Sequence, residues 1–236
     1  MFQRCSLLSL FLLFFTAAHA QQATPSLLPK SDIEKPSRDF IMVQFTYDNW
    51  NNTPDSVKVG GLGRGFNAYV CYDFPIKKSN FSFAAGIGVG TSNIYLQNQE
   101  VSLTDTGAAA SQIRFVNESK DYKKYKLMTA YIEAPFELRF FGDKENRNKG
   151  FKAAIGLRAG ILVGAHAKGN TTVDGNKTVE KINTKRYLEK WRFSATARVG
   201  WGNFSLFGSY NLNTLYKTDM GPAVTPYSIG IAITGL

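Results

Sequence analysis

The stretch Lys126–Phe141, KLMTAYIEAPFELRFF, decides the fold that this sequence predicts. Apolar residues occupy every second position, and the positions between them carry Glu133, Glu137 and Arg139. Successive side chains of a β-strand point to opposite faces, so the stretch predicts a strand with one apolar and one charged face. A helix would mix Glu and Phe on every face. The strand exceeds the usual run of about 5–6 residues, and long strands of this kind are typical of transmembrane β-barrels.

The first residues have the features of a secretory signal peptide. Arg4 precedes the apolar run Leu7–Phe15, which is too short to span a bilayer, and a small-x-small cleavage site ends at Ala20. We therefore expect cleavage after Ala20. Cys71 would then be the only cysteine of the exported chain, so no disulfide is predicted.

Three segments follow from this reading. Residues 1–20 are the predicted signal peptide, residues 21–39 a flexible periplasmic tail with three prolines, and residues 40–236 an outer-membrane β-barrel domain. The formal net charge of +10 favours an anionic partner. For an exported protein we expect phosphorylated lipid headgroups rather than nucleic acid.

Alternating residues predict eight strands, an even number that suits a closed barrel with both termini on one side. Their connections alternate between long and short, as in outer-membrane barrels with long extracellular loops and short periplasmic turns. The sequence therefore predicts an all-β, eight-stranded, antiparallel, up-and-down transmembrane β-barrel with both termini periplasmic; a soluble sandwich is the alternative. The strands are expected at about Phe40–Asp48, Gly63–Phe74, Phe81–Tyr95, Lys126–Phe141, Phe151–Ala167, Tyr187–Gly202, Phe204–Asn213 and Thr225–Thr234.

The long connections are predicted as polar loops outside the cell. The two longest lack apolar alternation, which predicts loops, and strand extensions within the first of them, Leu96–Tyr125, are the alternative. The four loops are Asn49–Leu62, Leu96–Tyr125, Lys168–Arg186 and Leu215–Val224.

Four stretches also resemble a known family. They are YIEAPFELRFF (Tyr131–Phe141), FKAAIGLRAGILVGAH (Phe151–His166), RFSATARVGWGNFSLFGSYNLNTLYK (Arg192–Lys217) and PYSIGIAIT (Pro226–Thr234), and they resemble the PorT-like outer-membrane β-barrel proteins of Bacteroidetes. The resemblance implies a small eight-stranded barrel, in a family mostly without assigned activity, with one group that works in protein secretion and gliding. The final Leu236 departs from the terminal aromatic residue common in proteobacterial barrels.

Charged residues at the alternate, polar positions of the predicted strands are predicted to face the lumen. An eight-stranded barrel has room only for side chains or a small ligand, so we expect a packed salt-bridge network centred on Glu133 and Glu137 that fills the barrel and fixes its register. A gate on a narrow ion path and catalytic carboxylates are the alternatives. Cations outnumber anions in this set, so an open path would favour anions. The set comprises Glu133, Glu137, Arg139, Lys152, Arg158, His166, Arg192 and Arg198.

Aromatic residues near the strand ends predict two interfacial girdles, with ordinary core packing as the alternative. They are Trp50, Phe81, Tyr95, Tyr125, Phe141, Phe151, Tyr187, Trp191, Trp201, Phe204, Tyr216 and Tyr227. The outer loops also carry cations that are candidate contacts for lipopolysaccharide phosphates, or simply solvated. These are Lys120, Lys123, Lys124, Lys181, Lys185 and Arg186.

Signals for an enzyme are weak. The exported chain has one histidine, His166, and lacks a phosphate-binding loop, a dinucleotide fingerprint and a cysteine metal motif. We predict no enzyme, no cofactor and no metal. The predicted role is structural or interactive at the cell surface, with lipid, lipopolysaccharide and an envelope protein as candidate partners. A narrow channel, a ligand-binding barrel and an accessory of a secretion complex are the alternatives.

Overall fold

The structure is a computed structural model. The predicted signal peptide and periplasmic tail lie outside the residues that it describes. Those residues are 40–77, 79–102, 112–143, 149–173 and 175–235.

Within these ranges the chain forms antiparallel β-strands. Their bounds are β1 (Ile41–Asn51), β2 (Arg64–Pro75), β3 (Phe81–Leu96), β4 (Gln99–Ser102), β5 (Arg114–Asn117), β6 (Tyr122–Phe141), β7 (Phe151–Val173), β8 (Asn176–Asn183), β9 (Trp191–Trp201), β10 (Phe204–Asn211) and β11 (Thr225–Thr234).

Eight of the strands close into a ring. The order around it is β1, β2, β3, β6, β7, β9, β10 and β11, and β11 pairs back onto β1 from Met42↔Thr234 to Asn51↔Thr225. Each of these strands neighbours the next ring strand along the chain, and every pairing is antiparallel. The predicted fold class, an eight-stranded up-and-down barrel, is therefore confirmed.

The ring has a short-turn end and a long-loop end. At the short-turn end β9 and β10 are joined by Gly202 and Asn203 alone, and the left-handed φ of 61° at Gly202 permits this tight turn. The other short connections lie between β2 and β3 and between β6 and β7, whereas β4, β5 and β8 all belong to the long-loop end. The names "short-turn end" and "long-loop end" are used below in this sense.

Two predicted loops contain strands. The segment Leu96–Tyr125 holds the β4–β5 sheet and the first residues of β6, and Lys168–Arg186 holds the end of β7 and β8. The interpretation of Lys168–Arg186 as a loop is therefore wrong. These extensions carry polar residues on both faces, so hydrophobic alternation disappears although the hydrogen-bonded ladder continues.

The outward face of the ring is apolar. The side chains of Ile87, Ile155, Leu206 and Ile229 are 63%, 65%, 67% and 58% exposed, and they lie on four different ring strands. A contiguous exposed apolar band of this kind marks a surface that meets another apolar medium, and in a closed barrel that medium is lipid. No helix among the described residues is long and apolar enough to cross a membrane.

A β-bulge on β7 changes which residues face inward. Ala130 and Tyr131 are consecutive on β6, but their partners on β7 are Gly164 and Leu162, so Val163 is an extra residue. A bulge of this kind shifts the alternation of side chains. Even-numbered β7 residues face the interior up to Leu162, and odd-numbered residues such as Ala165 do so beyond it.

Candidate functional site

The candidate site is the barrel interior, and its charged part is built around β6. Glu133, Glu137 and Arg139 occupy alternate inward positions on this strand and are almost completely buried. Glycines on the neighbouring strands make room for them. A Cβ atom at Gly90 would lie 2.4 Å from Glu133 Oε2, and one at Gly156 would lie 3.0 Å from Glu137 Cγ. Small residues on β3 and β7 are therefore what lets large charged side chains fit inside.

The Glu133 cluster consists of Glu133, Tyr69, Arg158 and Arg192. The Tyr69 hydroxyl donates to Glu133 Oε2 at 2.5 Å, and Arg158 Nη1 donates to the same oxygen at 3.4 Å. Arg192 donates to Glu133 Oε1 through Nε at 2.9 Å and also through Nη2. Charge-assisted bonds from a guanidinium fork are the strong and directional kind, so both carboxylate oxygens are engaged.

The two arginines of this cluster also stack on aromatic rings. Arg158 lies 5.0 Å from the Tyr69 ring centroid and 5.3 Å from that of Phe207, and Arg192 lies 3.9 Å from that of Tyr131. Such cation–π contacts strengthen when they are removed from water. The aromatic rings therefore hold the guanidinium groups as well as fill space.

The Glu137 cluster consists of Glu137, Arg139, Arg198 and Asp73, nearer the short-turn end. Arg139 donates through Nε to Glu137 Oε2 at 2.8 Å and through Nη1 to Asp73 Oδ1 at 2.7 Å. Arg198 Nη2 donates to Glu137 Oε2 at 3.1 Å. Because each ion has a partner of opposite charge, the cost of burying it is offset.

Lys152 lies buried beyond this cluster and donates from Nζ to Thr234 Oγ1 at 2.9 Å. The structure thus places seven of the predicted lumen residues inside the barrel. They are Glu133, Glu137, Arg139, Lys152, Arg158, Arg192 and Arg198.

His166 is a correction to that prediction. It pairs with Met128 on β6, while the next pair, Leu127 and Ala167, is buried in the interior. His166 therefore lies on the outer face, and its assignment to the lumen is wrong. The bulge at Val163 is the reason. One extra residue reverses the face to which each later side chain of the strand points, so a strict two-residue alternation gives the wrong face beyond it.

Sequence reasoning missed several interior polar residues. Asp73, Tyr69 and Asn67 share the inward face of β2, and Gln44 and Asp48 share that of β1. Gln44 accepts hydrogen bonds from Asn67 at 3.0 Å and from Arg158 at 3.2 Å. The signal was available, since these residues alternate with apolar ones. Asp73 and Asp48 also bring the carboxylates closer in number to the cations than the sequence-based set suggested.

The interior of the long-loop end is apolar instead. We call this buried group the apolar cap; the ring of Tyr216 packs edge-on against Trp50 and Phe115 at centroid distances of 6.1 and 6.2 Å. Loop residues as well as strand residues contribute to it. Its buried members are Trp50, Val57, Ile94, Leu96, Val101, Ile113, Tyr125, Leu127, Tyr131, Leu162, Ala165, Ala167, Tyr187, Leu188, Leu215, Tyr216 and Val224.

The cap overturns part of the girdle prediction. Trp50, Tyr125, Tyr187 and Tyr216 are buried in it. Trp50 and Tyr125 occupy inward positions of β1 and β6, whereas Tyr187 and Tyr216 lie on long connections that pack into the same cluster. Phe141 is also buried, at the short-turn end. Five predicted girdle residues are exposed, and Phe140 links Phe81 and Phe151 by ring contacts at the short-turn end. The exposed five are Phe81, Phe151, Trp191, Trp201 and Phe204.

Within the described residues, the cavity beside the Glu133 cluster is small. A cavity of about 20 Å³ lies between the Glu133 cluster and the apolar cap, bordered by Arg158, Arg192, Asp48 and Trp50. One water needs about 10–15 Å³ by this kind of measure. The cavity therefore suits a water or two and not a larger ligand.

The candidate lipopolysaccharide contacts all belong to the long-loop end but differ in their surroundings. Lys120 forms an ion pair with Glu180, and Arg186 lies 5.5 Å from the Tyr187 ring centroid. Lys185 Nζ lies 3.4 Å from the Val163 carbonyl oxygen. Lys123 and Lys124 border an open groove of about 460 Å³, and Lys181 lies exposed on β8.

A closed antiparallel ring with an apolar outside and a charged inside defines a transmembrane β-barrel. The chain belongs to the outer membrane protein beta-barrel domain family, whose model matches residues 40–216. The protein is thus an outer-membrane β-barrel. Among solved structures it is similar to Ail, the attachment invasion locus protein of Yersinia pestis in complex with the heparin analogue sucrose octasulfate. The TM-score is 0.36 at 13% identity, with 82% of this chain and 95% of that chain covered.

A search of curated proteins found no match. No group of three or more His, Cys, Asp or Glu side chains within the described ranges is arranged to hold a metal ion.

Proposed function

We propose that the protein is a closed, non-conducting outer-membrane barrel with a non-enzymatic structural or interaction role at the cell surface. The observation that carries this proposal is the filled interior. Two ion clusters occupy the section next to the short-turn end, the apolar cap occupies the section next to the long-loop end, and the cavity between them measures about 20 Å³. A water-filled path would have to break the ion pairs and displace the cap.

The same interior argues against catalysis by Glu133 and Glu137. Glu133 accepts bonds from Tyr69, Arg158 and Arg192, and Glu137 from Arg139 and Arg198. A catalytic carboxylate needs a free oxygen within reach of a substrate proton. Both oxygens of Glu133 accept hydrogen bonds, Oε2 of Glu137 accepts from two arginines, and the cavity beside Glu133 is too small for a substrate.

The long-loop end faces the outside of the cell in this proposal, with both termini periplasmic after removal of the signal peptide. The alternation of long and short connections supports this orientation, since outer-membrane barrels have short periplasmic turns. Six cations of the long-loop end would then meet lipopolysaccharide phosphates, namely Lys120, Lys123, Lys124, Lys181, Lys185 and Arg186. The loops of this end would offer a surface to an envelope protein.

Planar bilayer recordings test the closed lumen. The purified, folded protein should give no steady, well-resolved openings, whereas a water-filled porin in the same bilayers should conduct. Regular single-channel steps from the purified barrel would contradict the proposal and favour the narrow channel.

A role as an accessory of a secretion complex is a second candidate. It is supported by the resemblance of Tyr131–Phe141 and the following strands to PorT-like proteins of Bacteroidetes. Crosslinking in native membranes followed by affinity purification tests it, because a stoichiometric secretion component should be recovered with the barrel. Recovery of lipid alone would contradict this candidate.

A further inference from the structure

Three lysines form a row across neighbouring strands at the long-loop end. Lys126 on β6 pairs with Lys168 on β7, and Lys168 pairs with Lys181 on β8. We call these three residues the lysine row. They lie on the outer face, because the residues beside them in sequence face the interior, namely Leu127, Ala167 and Ile182.

The positive charge of the row is concentrated. Like charges directly opposite each other on paired strands repel, and here three are adjacent. Lys181, Lys126 and Lys168 also act electrostatically on His166, which lies one pair away on the same face. Four cationic or titratable groups therefore share one small patch.

No carboxylate lies among the outward residues that pair around the row. Tyr95 pairs with Lys126, and the next outward positions in register are Asn93, Met128, His166 and Asn183 on one side and Lys124, Asn170 and Val179 on the other. Lys126 Nζ donates to the neutral Asn93 Oδ1 at 2.6 Å. Glu180, the next residue to Lys181, forms its ion pair with Lys120. The patch thus has hydrogen-bonding groups but no counter-charge among its described register neighbours, so an external anion would relieve the repulsion.

The level of the row along the barrel wall suits a lipid headgroup. On β7 the exposed apolar residues end at Val163, and on β6 at Ile132. The pairs Ala130↔Gly164 and Met128↔His166 separate these apolar residues from the row. Lysine side chains can also bend toward the interface while their stems cover apolar surface.

We propose that the lysine row binds the phosphate groups of a phosphorylated lipid headgroup in the outer leaflet, of the lipid A type. This rests on the proposed function, in that the long-loop end must face outside. Three adjacent ammonium groups neutralise a phosphate pair, Asn93 and Asn183 can donate hydrogen bonds, and Tyr95 is a typical aromatic residue for the membrane interface.

The test compares two variants with the same change in charge. One is K126Q/K168Q/K181Q, and the matched control is K58Q/K190Q/K217Q, with lysines from other places at the long-loop end. Each full-length barrel is folded in detergent, checked by heat-modifiable gel migration, and titrated with diphosphorylated lipid A by native mass spectrometry. Dephosphorylated lipid A and inorganic phosphate are titrated in parallel.

We expect the lysine-row variant to bind diphosphorylated lipid A at least about tenfold more weakly than wild type, given the attraction of each lysine for an anionic surface. The control should change by less than about threefold. Equal losses in the two variants, or equal wild-type affinity for dephosphorylated lipid A, would overturn the proposal. Competition by inorganic phosphate with no dependence on the acyl chains would assign the row to a free anion, which also overturns it.

Orientation is tested separately. A cysteine introduced by Lys58→Cys should react with a membrane-impermeant maleimide on intact cells, because Lys58 is exposed at the long-loop end. Absence of labelling would contradict the proposed orientation, whereas normal labelling together with equal lipid A affinity of the lysine-row and control variants would contradict the lysine row alone.

Discussion

The two ends of the barrel interior are filled in opposite ways. Toward the short-turn end, Glu133 and Glu137 form ion pairs and hydrogen bonds with arginines of β6, β7 and β9. Near the long-loop end, the interior is an apolar core that includes loop residues. Ion pairs demand specific partners and geometry, whereas apolar packing demands mainly volume. The ion pairs are therefore suited to fix the register of the strands, and the apolar cap is suited to close the mouth of the barrel with loop residues.

The largest loss of stability should come from removing a carboxylate in the charged section of the interior, which the Glu133 and Glu137 clusters form. Glu137→Ala deprives the buried Arg198 of its carboxylate partner, and breaking a buried pair typically costs about 3–5 kcal/mol. Thermal unfolding and heat-modifiable gel migration measure the loss. Glu137→Gln keeps the shape and removes the charge, so it separates electrostatics from packing. Unchanged migration and an unchanged melting temperature for Glu137→Ala would show that the charges do not hold the barrel together.

Truncation of a side chain in the apolar cap should lower the free energy of unfolding slightly less, and its effect should be confined to the long loops. Tyr216→Ala removes a fully buried ring, and aromatic truncations cost about 3–5 kcal/mol where the site cannot collapse. Loops can collapse more readily than strands, so we expect about 3 kcal/mol, seen as faster proteolysis of the long loops with the ring intact. Protease resistance equal to wild type would contradict a cap that depends on this ring.

A hydroxyl deletion provides the control for the cap. Burial raises the pKa of Tyr216 well above its usual range, and its buried hydroxyl has no hydrogen-bond partner among the described residues. Tyr216→Phe should therefore leave stability unchanged or slightly higher, because an unsatisfied buried polar group is unfavourable.

The smallest loss of stability should come from filling the space beside the charged section. Gly90→Ala would place a Cβ atom 2.4 Å from Glu133 Oε2, and overpacking of this kind costs about 1–3 kcal/mol. Gly208→Ala on β10 is the matched control, since its nearest atom would be 4.0 Å away. Denaturant unfolding should distinguish the two. Equal stability of both variants would mean that the Glu133 cluster can shift without cost.

The alternation of side chains along a strand explains why so much of the charged section could be predicted. Glu133, Glu137 and Arg139 alternate with apolar residues, so the side of the sheet they face follows from the geometry of a strand alone. Their partners could not be derived in this way. Arg139 reaches Asp73, which lies 66 positions earlier in the chain, and only the pairing of β2, β3 and β6 brings the two together.

The alternation rule gives wrong assignments where the strand is not regular. Strict alternation along β7 predicts His166 in the lumen, but the extra residue Val163 reverses the alternation beyond it. A position near a strand end also predicts an interfacial site for Trp50, Tyr187 and Tyr216. Trp50 instead occupies an inward position of β1, and the connections that carry Tyr187 and Tyr216 pack into the apolar cap. The lysine row could not be seen in the sequence either, because its members lie 42 and 13 positions apart and meet only through strand register.

The stretch Lys126–Phe141 by itself determined a long strand with an apolar face for lipid and a charged face for the interior, because alternation is a local property of the chain. The closure of β1 on β11, the choice of ion partners, the apolar cap and the lysine row were decided only by the tertiary structure. Each of them depends on which distant residues become neighbours, and register, bulges and loop packing set that relation.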